Sequence, residues 1–167
     1  GLGVTLEVSF FAALLGILIG TIAAFLKLST RKNGSKTIAS RIASAYIDII
    51  RGTPTMVQLL IIYFVIFANV HIDKWVVGFI AFGINSGAYI AEIVRGGILS
   101  VNIGQTEAGR SLGMTHKQTM ASIVMPQAMK NILPALGNEF VVLIKETAVI
   151  GMIAVSYTHL TLPTKLE

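Results

Sequence analysis

Four apolar stretches govern what this chain can become: residues 4–28, about 43–68, 75–99 and, less cleanly, 132–155. Each matches the roughly 20 residues that a helix needs to cross a bilayer. Inside lipid a backbone must bond its own polar groups, which a helix does. The expected fold class is therefore all-α, a polytopic membrane helix bundle with four spans. Composition agrees, since 54% of the residues are hydrophobic and only 13% are charged, which excludes an ordinary soluble domain or a disordered tail.

Charge orients the spans. Lys27, Arg31, Lys32, Lys36 and Arg41 crowd a connector with no acidic residue, and such a loop belongs on the cytoplasmic side. The next connector, 69–74, is short and sets Asp73 against Lys74, whereas the long segment 102–130 carries Arg110, Lys117 and Lys130 against Glu107 alone. Inside and outside then alternate, with the N-terminus extracytoplasmic and 102–130 cytoplasmic. A solvated positive-inside loop accounts for the net charge of +5 without a nucleic-acid partner. Contact with anionic lipid or with a nucleic acid is the alternative use of such a loop.

Segment 102–130 has local chemistry for two short helices around a glycine turn. Thr106 can cap a helix starting at Glu107, and Gly113 stands where a left-handed residue would end it. Thr115 with Gln118 fits a capping box. The second helix then passes Met120, Ile123 and Val124 to an expected break at Pro126.

The order Glu107-Ala108-Gly109, Gly113, Ile123, Pro126 resembles the EAA signature of membrane subunits of bacterial ABC importers, with Gly109 and Met125 where that family more often has Ala and Leu. Other runs are similar to its polar amino-acid uptake branch: Arg51-Gly52-Thr53-Pro54 followed by Gln58 and Tyr63-Phe64, Asn85-Ser86-Gly87-Ala88-Tyr89-Ile90-Ala91-Glu92 followed by Arg95-Gly96-Gly97, and Leu133 to Phe140 with Leu143 to Thr147.

The resemblance covers residues 1–155 and implies a transmembrane permease domain of the type I ABC importer kind. Its coupling residues would be Glu107, Ala108, Gly109, Gly113 and Pro126. ATP and Mg would be bound by a separate ATP-binding subunit, so this chain is expected to be a transport subunit and no enzyme. The other implied partners are a second permease subunit, identical or related, an extracytoplasmic amino-acid-binding protein and the amino acid itself. The implied location is the bacterial cytoplasmic (inner) membrane. The resemblance also implies at least one more span after residue 155. The polar residues 156–167 are expected to be a non-native tail, with a genuine extracytoplasmic loop as the other reading.

Within the spans, Asn85, Tyr89 and Glu92 share one helix face with Ser86 beside them, a polar stripe that suits a translocation path. Gly83 with Gly87, and Gly16 with Gly20, are small-xxx-small pairs that permit close helix approach. Glu92 can pair with Arg95, and Asp48 with Arg51, each three residues apart. Lys145 and Glu146 are adjacent, about 100° apart on a helix, so they cannot face each other. At roughly 3 kcal/mol for an ionisable group near the bilayer centre, they are candidates for touching substrate or gating the path. A snorkelling Lys and a packed Glu are the alternative. By resemblance Thr147 joins them, as Gln58 does from the second stretch. Pro54, and Pro134 with Gly137, are expected to bend or break their helices and free carbonyls for a ligand or a partner helix, or merely to kink them.

Other functions lack their chemistry here. The chain has no cysteine, hence no disulfide and no thiol nucleophile. His71, His116 and His159 lack ligand spacing, so no metal is expected, and no phosphate-cradling Gly-rich loop with Lys is present. No catalytic cluster of nucleophile, base and acid is visible. The rival function is a channel or secondary carrier for small polar solutes, which would use the same polar stripe but has no need of a two-helix docking element.

Overall fold

The computed structural model describes residues 2–29, 34–67 and 74–160, and every regular element among them is helical. Arg31, Lys32, His71, Asp73 and residues 161–167 lie outside the described residues. Helix α1 (Leu2–Leu28) and helix α4 (Lys74–Leu99) form the central seam. Their small residues meet: a Cβ on Gly20 would lie 2.7 Å from the Gly87 carbonyl oxygen and 2.8 Å from Ile90, and one on Gly83 would lie 2.7 Å from Leu15. The close approach expected of both glycine pairs is thus present.

Contacts along the seam run in the same order on both helices, Leu15 with Gly83, Gly20 with Ile90, Lys27 with Glu92, so α1 and α4 are parallel. Helix α7 (Met125–Leu160) meets them in reverse order: Ile132 at Gly97, Glu139 at Ser86, Thr147 at Ser9. It is antiparallel to both, as alternating spans require. Ala23, Ala24, Ile90, Ala91, Val94, Ala128 and Ile132 close the core between these helices, joined by Ile47 from the second apolar stretch.

The second apolar stretch, expected as a span over about 43–68, is two helices set at an angle. Helix α2 (Ile38–Gly52) starts earlier, capped by Thr37, whose hydroxyl accepts from the Ser40 N–H at 3.0 Å. It ends at Thr53-Pro54, and helix α3 (Thr55–Ile61), continued by a π-helical turn over Ile62–Ile66, leaves at a bend of 108°. Pro54 brings no N–H and pushes Thr53 into the extended region (φ −118°, ψ 144°), which ends a helix. The break expected at Pro54 is therefore real.

At Pro126 and Pro134 the expectation of a break fails. Helix α6 (His116–Thr119) passes into a π-helical turn (Met120–Val124) and then directly into α7, which runs through Pro134 without interruption. Pro126 sits in the first turn of α7. The widened turn before it uses i→i+5 bonds, such as Met125 N–H to the Met120 carbonyl, and so absorbs the missing donor. By length and apolarity Thr5–Leu28 and Trp75–Leu99 can each cross a membrane, with the bent pair as a third. At 36 residues α7 is about 54 Å long, but it carries Glu139, Lys145 and Glu146.

Candidate functional site

The polar stripe of α4 is the spine of the site. Asn85 and Ser86 are buried, and each is satisfied by another helix. Asn85 Nδ2 donates to Gln58 Oε1 at 2.8 Å, and Ser86 Oγ donates to Glu139 Oε1 at 3.1 Å. One turn further, the Arg51 guanidinium lies 5.5 Å from the centre of the Tyr89 ring, a cation–π distance. Four candidates from sequence, Gln58, Asn85, Ser86 and Tyr89, therefore belong to one continuous polar wall.

Glu92 ends that wall as a charge hub. It receives Lys27 Nζ at 2.7 Å and Arg95 through both Nε (3.1 Å) and Nη2 (2.7 Å), with Arg51 at 3.9 Å. The expected Glu92–Arg95 pair is present. Arg51 reaches Glu92 and Tyr89 on α4, whereas Asp48 lies 4.0 Å from Lys27. An i,i+3 contact along α2 loses to partners brought by the neighbouring helices.

The cluster at 145–147 divides. Thr147 is turned into the bundle, where its hydroxyl lies 2.6 Å from Ser9 Oγ of α1 and reaches the Leu143 carbonyl at 2.8 Å. Lys145 is exposed and Glu146 is half-buried, on different sides of the helix, as the splay of adjacent residues requires. Glu139 was not singled out from sequence. It stands two turns before Glu146, and an acid on the same helical face within an apolar stretch is the signal that could have found it.

The polar segment forms a hairpin. Helix α5 (Ile103–Ser111) begins four residues before the expected start, because Asn102, and not Thr106, caps it by accepting the Gly104 N–H at 2.8 Å. Its end is a full Schellman motif: Gly113 at φ +83°, with Met114 N–H bonded to the Gly109 carbonyl and Gly113 N–H to the Arg110 carbonyl. The Thr115–Gln118 capping box then opens α6 as expected. Gly109 is buried, and a Cβ there would lie 2.8 Å from Ile123 Cδ1 and 2.9 Å from Thr119 Cγ2. The two arms therefore close on Gly109, leaving Glu107, Ala108, Gly113 and Leu112 exposed. Pro126 is exposed beyond them.

A parallel seam crossed by an antiparallel helix, a broken second span, a polar wall and a capped hairpin at one end define a polytopic transport subunit. Residues 16–162 match the binding-protein-dependent transport system inner membrane component family, and the chain belongs to that family. It is 41% identical over 152 residues to the putative glutamine transport system permease protein GlnP of Rickettsia prowazekii (strain Madrid E), covering 90% of this chain and 67% of that protein. To the glutamine transport system permease protein GlnP of Escherichia coli (strain K12) it is 38% identical over 159 residues, 93% of this chain and 70% of the relative.

Among solved structures, one chain of an amino acid ABC transporter crystallised with histidines superposes with a TM-score of 0.78 at 47% identity, covering 90% of this chain and 68% of that one. The inward-facing MetNI methionine ABC transporter gives a TM-score of 0.75 at 23% identity, over 92% and 72% of the two chains, a likeness of fold.

Proposed function

We propose that this chain is the membrane-spanning subunit of an ATP-driven amino-acid importer, with the hairpin α5–α6 as the seat of its ATPase. The observation that carries this reading is the hairpin itself. Asn102, Gly113 and the Thr115–Gln118 box fix both of its arms, and a rigid, projecting surface with Glu107, Ala108 and Leu112 outward is what a motor subunit needs to push against. In this reading ATP and Mg stay with the partner, and a binding protein delivers the amino acid on the opposite side. The hairpin is cytoplasmic and the start of α1 extracytoplasmic, in keeping with Lys27, Lys36 and Arg41 at the hairpin end of the bundle.

The translocation path runs beside the polar stripe of α4, where Asn85 and Ser86 are held between helices of this chain, Tyr89 is half-buried and Gln58 stands behind Asn85. Lys145 and Glu146 are its charged elements on α7 and Thr147 fixes their helix to α1. The exposure of Lys145 supports this, because an ammonium within a span is costly against lipid and is accommodated by a polar neighbour. The amino-acid cargo is supported by the GlnP relatives.

Uptake of radiolabelled amino acids into proteoliposomes holding this chain, its companion ATPase and binding protein tests the reading. Uptake that requires ATP and all three components is the expected result. Uptake indifferent to ATP and to the ATPase would instead make the chain a carrier.

A further inference from the structure

The elbow between α2 and α3 should leave carbonyls without donors, yet side chains have taken them. We propose that Gln58 is a positioning residue: its side-chain amide replaces the backbone donor that Pro54 lacks, and so fixes the α2–α3 elbow against α4. In an unbroken helix the N–H of residue 54 would bond the Ile50 carbonyl, and proline has no N–H. Gln58 Nε2 occupies that place at 2.6 Å from the Ile50 oxygen. Its amide also reaches the Thr53 carbonyl at 3.0 Å and Thr53 Oγ1 at 2.6 Å, while Thr53 Oγ1 donates to the Ile49 carbonyl at 2.9 Å.

The orientation of this amide is over-determined. Turned over, Gln58 would point its oxygen at three other oxygens and its nitrogen at the Asn85 amino group. As it stands, Oε1 accepts from Asn85 Nδ2 and the side chain is buried. Freed carbonyls in a membrane segment are thereby satisfied internally, as lipid requires. The other arm of the elbow is held too, with Arg51 over Tyr89 and near Glu92. Both arms thus rest on the same face of α4, at Asn85 and at Tyr89–Glu92. Asn85 is next to Ser86, which holds Glu139 of α7. Gln58 therefore acts on the path through Asn85 and the shape of the elbow, without touching the transported molecule.

The inference deepens the transport reading and rests on it only for the uptake arm of its test. The chain has no cysteine, so Ile49→Cys and Val65→Cys, both exposed and on opposite arms of the elbow, can carry a nitroxide pair. Pulsed EPR distances are measured on the full chain, assembled with its ATPase in proteoliposomes and diluted with unlabelled chain, for Gln58, Gln58→Leu, Gln58→Glu and Asn85→Leu. Gln58→Glu keeps the side-chain length and exchanges the two amide N–H donors for a carboxyl group with one donor hydrogen at most, so it carries the test should the leucine variant fail to accumulate.

Both Gln58 variants are expected to broaden the distance distribution about twofold and to slow uptake about tenfold, the scale of one lost buried hydrogen bond, with amino-acid preference unchanged. Asn85→Leu should broaden it less, because the carbonyl bonds survive. An unchanged distribution in the Gln58 variants overturns the assignment, as does an altered amino-acid preference without broadening. If the unmodified assembly takes up no amino acid, the transport reading fails while the distances still decide the elbow.

Discussion

The α1–α4 seam and the α5–α6 hairpin are built on opposite principles. The seam is held by the absence of atoms: Gly16, Gly20, Gly83 and Gly87 let two helices touch along their backbones, and no cap or turn enters the account. The hairpin has little core, only the closure on Gly109, and is fixed by Asn102, Gly113, Thr115 and Gln118. Added volume should therefore be ruinous in the seam and, away from Gly109, mild on the hairpin. Lost caps or lost backbone freedom should matter in the hairpin and be neutral along the glycine stretch of the seam.

The sharpest break of that contrast is Gly20→Leu. Its Cβ alone would collide with the Gly87 backbone oxygen, which cannot swing aside as a side-chain tip does. Separation of the seam should cost about 3 kcal/mol, the upper range for overpacking, read as a lowered midpoint in a detergent-titration unfolding curve of the purified chain, with uptake lost as well.

Gly113→Val comes next and acts elsewhere. No heavy atom lies within 4 Å of a Cβ at this position, so the cost is the φ of +83° alone, about 1–2 kcal/mol for a residue forced into the left-handed region. Membrane insertion and the unfolding midpoint of the spans should stay unchanged while ATP-coupled uptake disappears. Gly113→Asn, which tolerates this conformation better, should recover part of it. Normal uptake by the valine variant would remove the hairpin from the coupling route.

Thr115→Ala should be weaker still, near 1 kcal/mol for a lost N-cap. Its effect should be confined to faster amide hydrogen exchange at residues 116–119.

These contrasts also explain what could be read from the sequence. Small-xxx-small pairs, the capping box and the αL glycine are local patterns, and the structure holds all three. The start of α5 was misplaced because Asn102 and Thr106 are both competent caps four residues apart. The one that follows directly on the end of α4 prevails, since the chain turns at once into the next helix. The π-helical turn at Met120–Val124 was invisible because it answers to Pro126 just downstream and not to any propensity of its own residues, and nothing in the sequence of Ile62–Ile66 marks the other. Arg51 and Glu139 were misjudged or missed for a related reason. Their partners, Glu92 with Tyr89 and Ser86, come from other helices, and the register between helices is a tertiary fact that no spacing along one helix contains. Gln58 stands out in the sequence only as a polar residue of the second apolar stretch, and its bonds to the Ile50 and Thr53 carbonyls emerge only once the 108° bend exists.

The smallest stability effect belongs to the most exposed apolar residue of the hairpin. Leu112 is 82% exposed at the tip beside Gly113, so in the isolated subunit Leu112→Ser removes almost no buried surface and should leave the unfolding midpoint within about 0.5 kcal/mol of the parent, as surface substitutions do. If the tip is buried against the ATPase, the same change should cost about 1–2 kcal/mol of binding for a leucine-sized apolar contact, five- to thirtyfold in apparent affinity. Co-reconstitution titrations of the ATPase against parent and variant would read this directly. A variant that is stable and binds the ATPase as the parent does would place the docking surface away from the tip, on the Glu107–Ala108 side of α5. The contrast would then sharpen to one between two faces of a single helix.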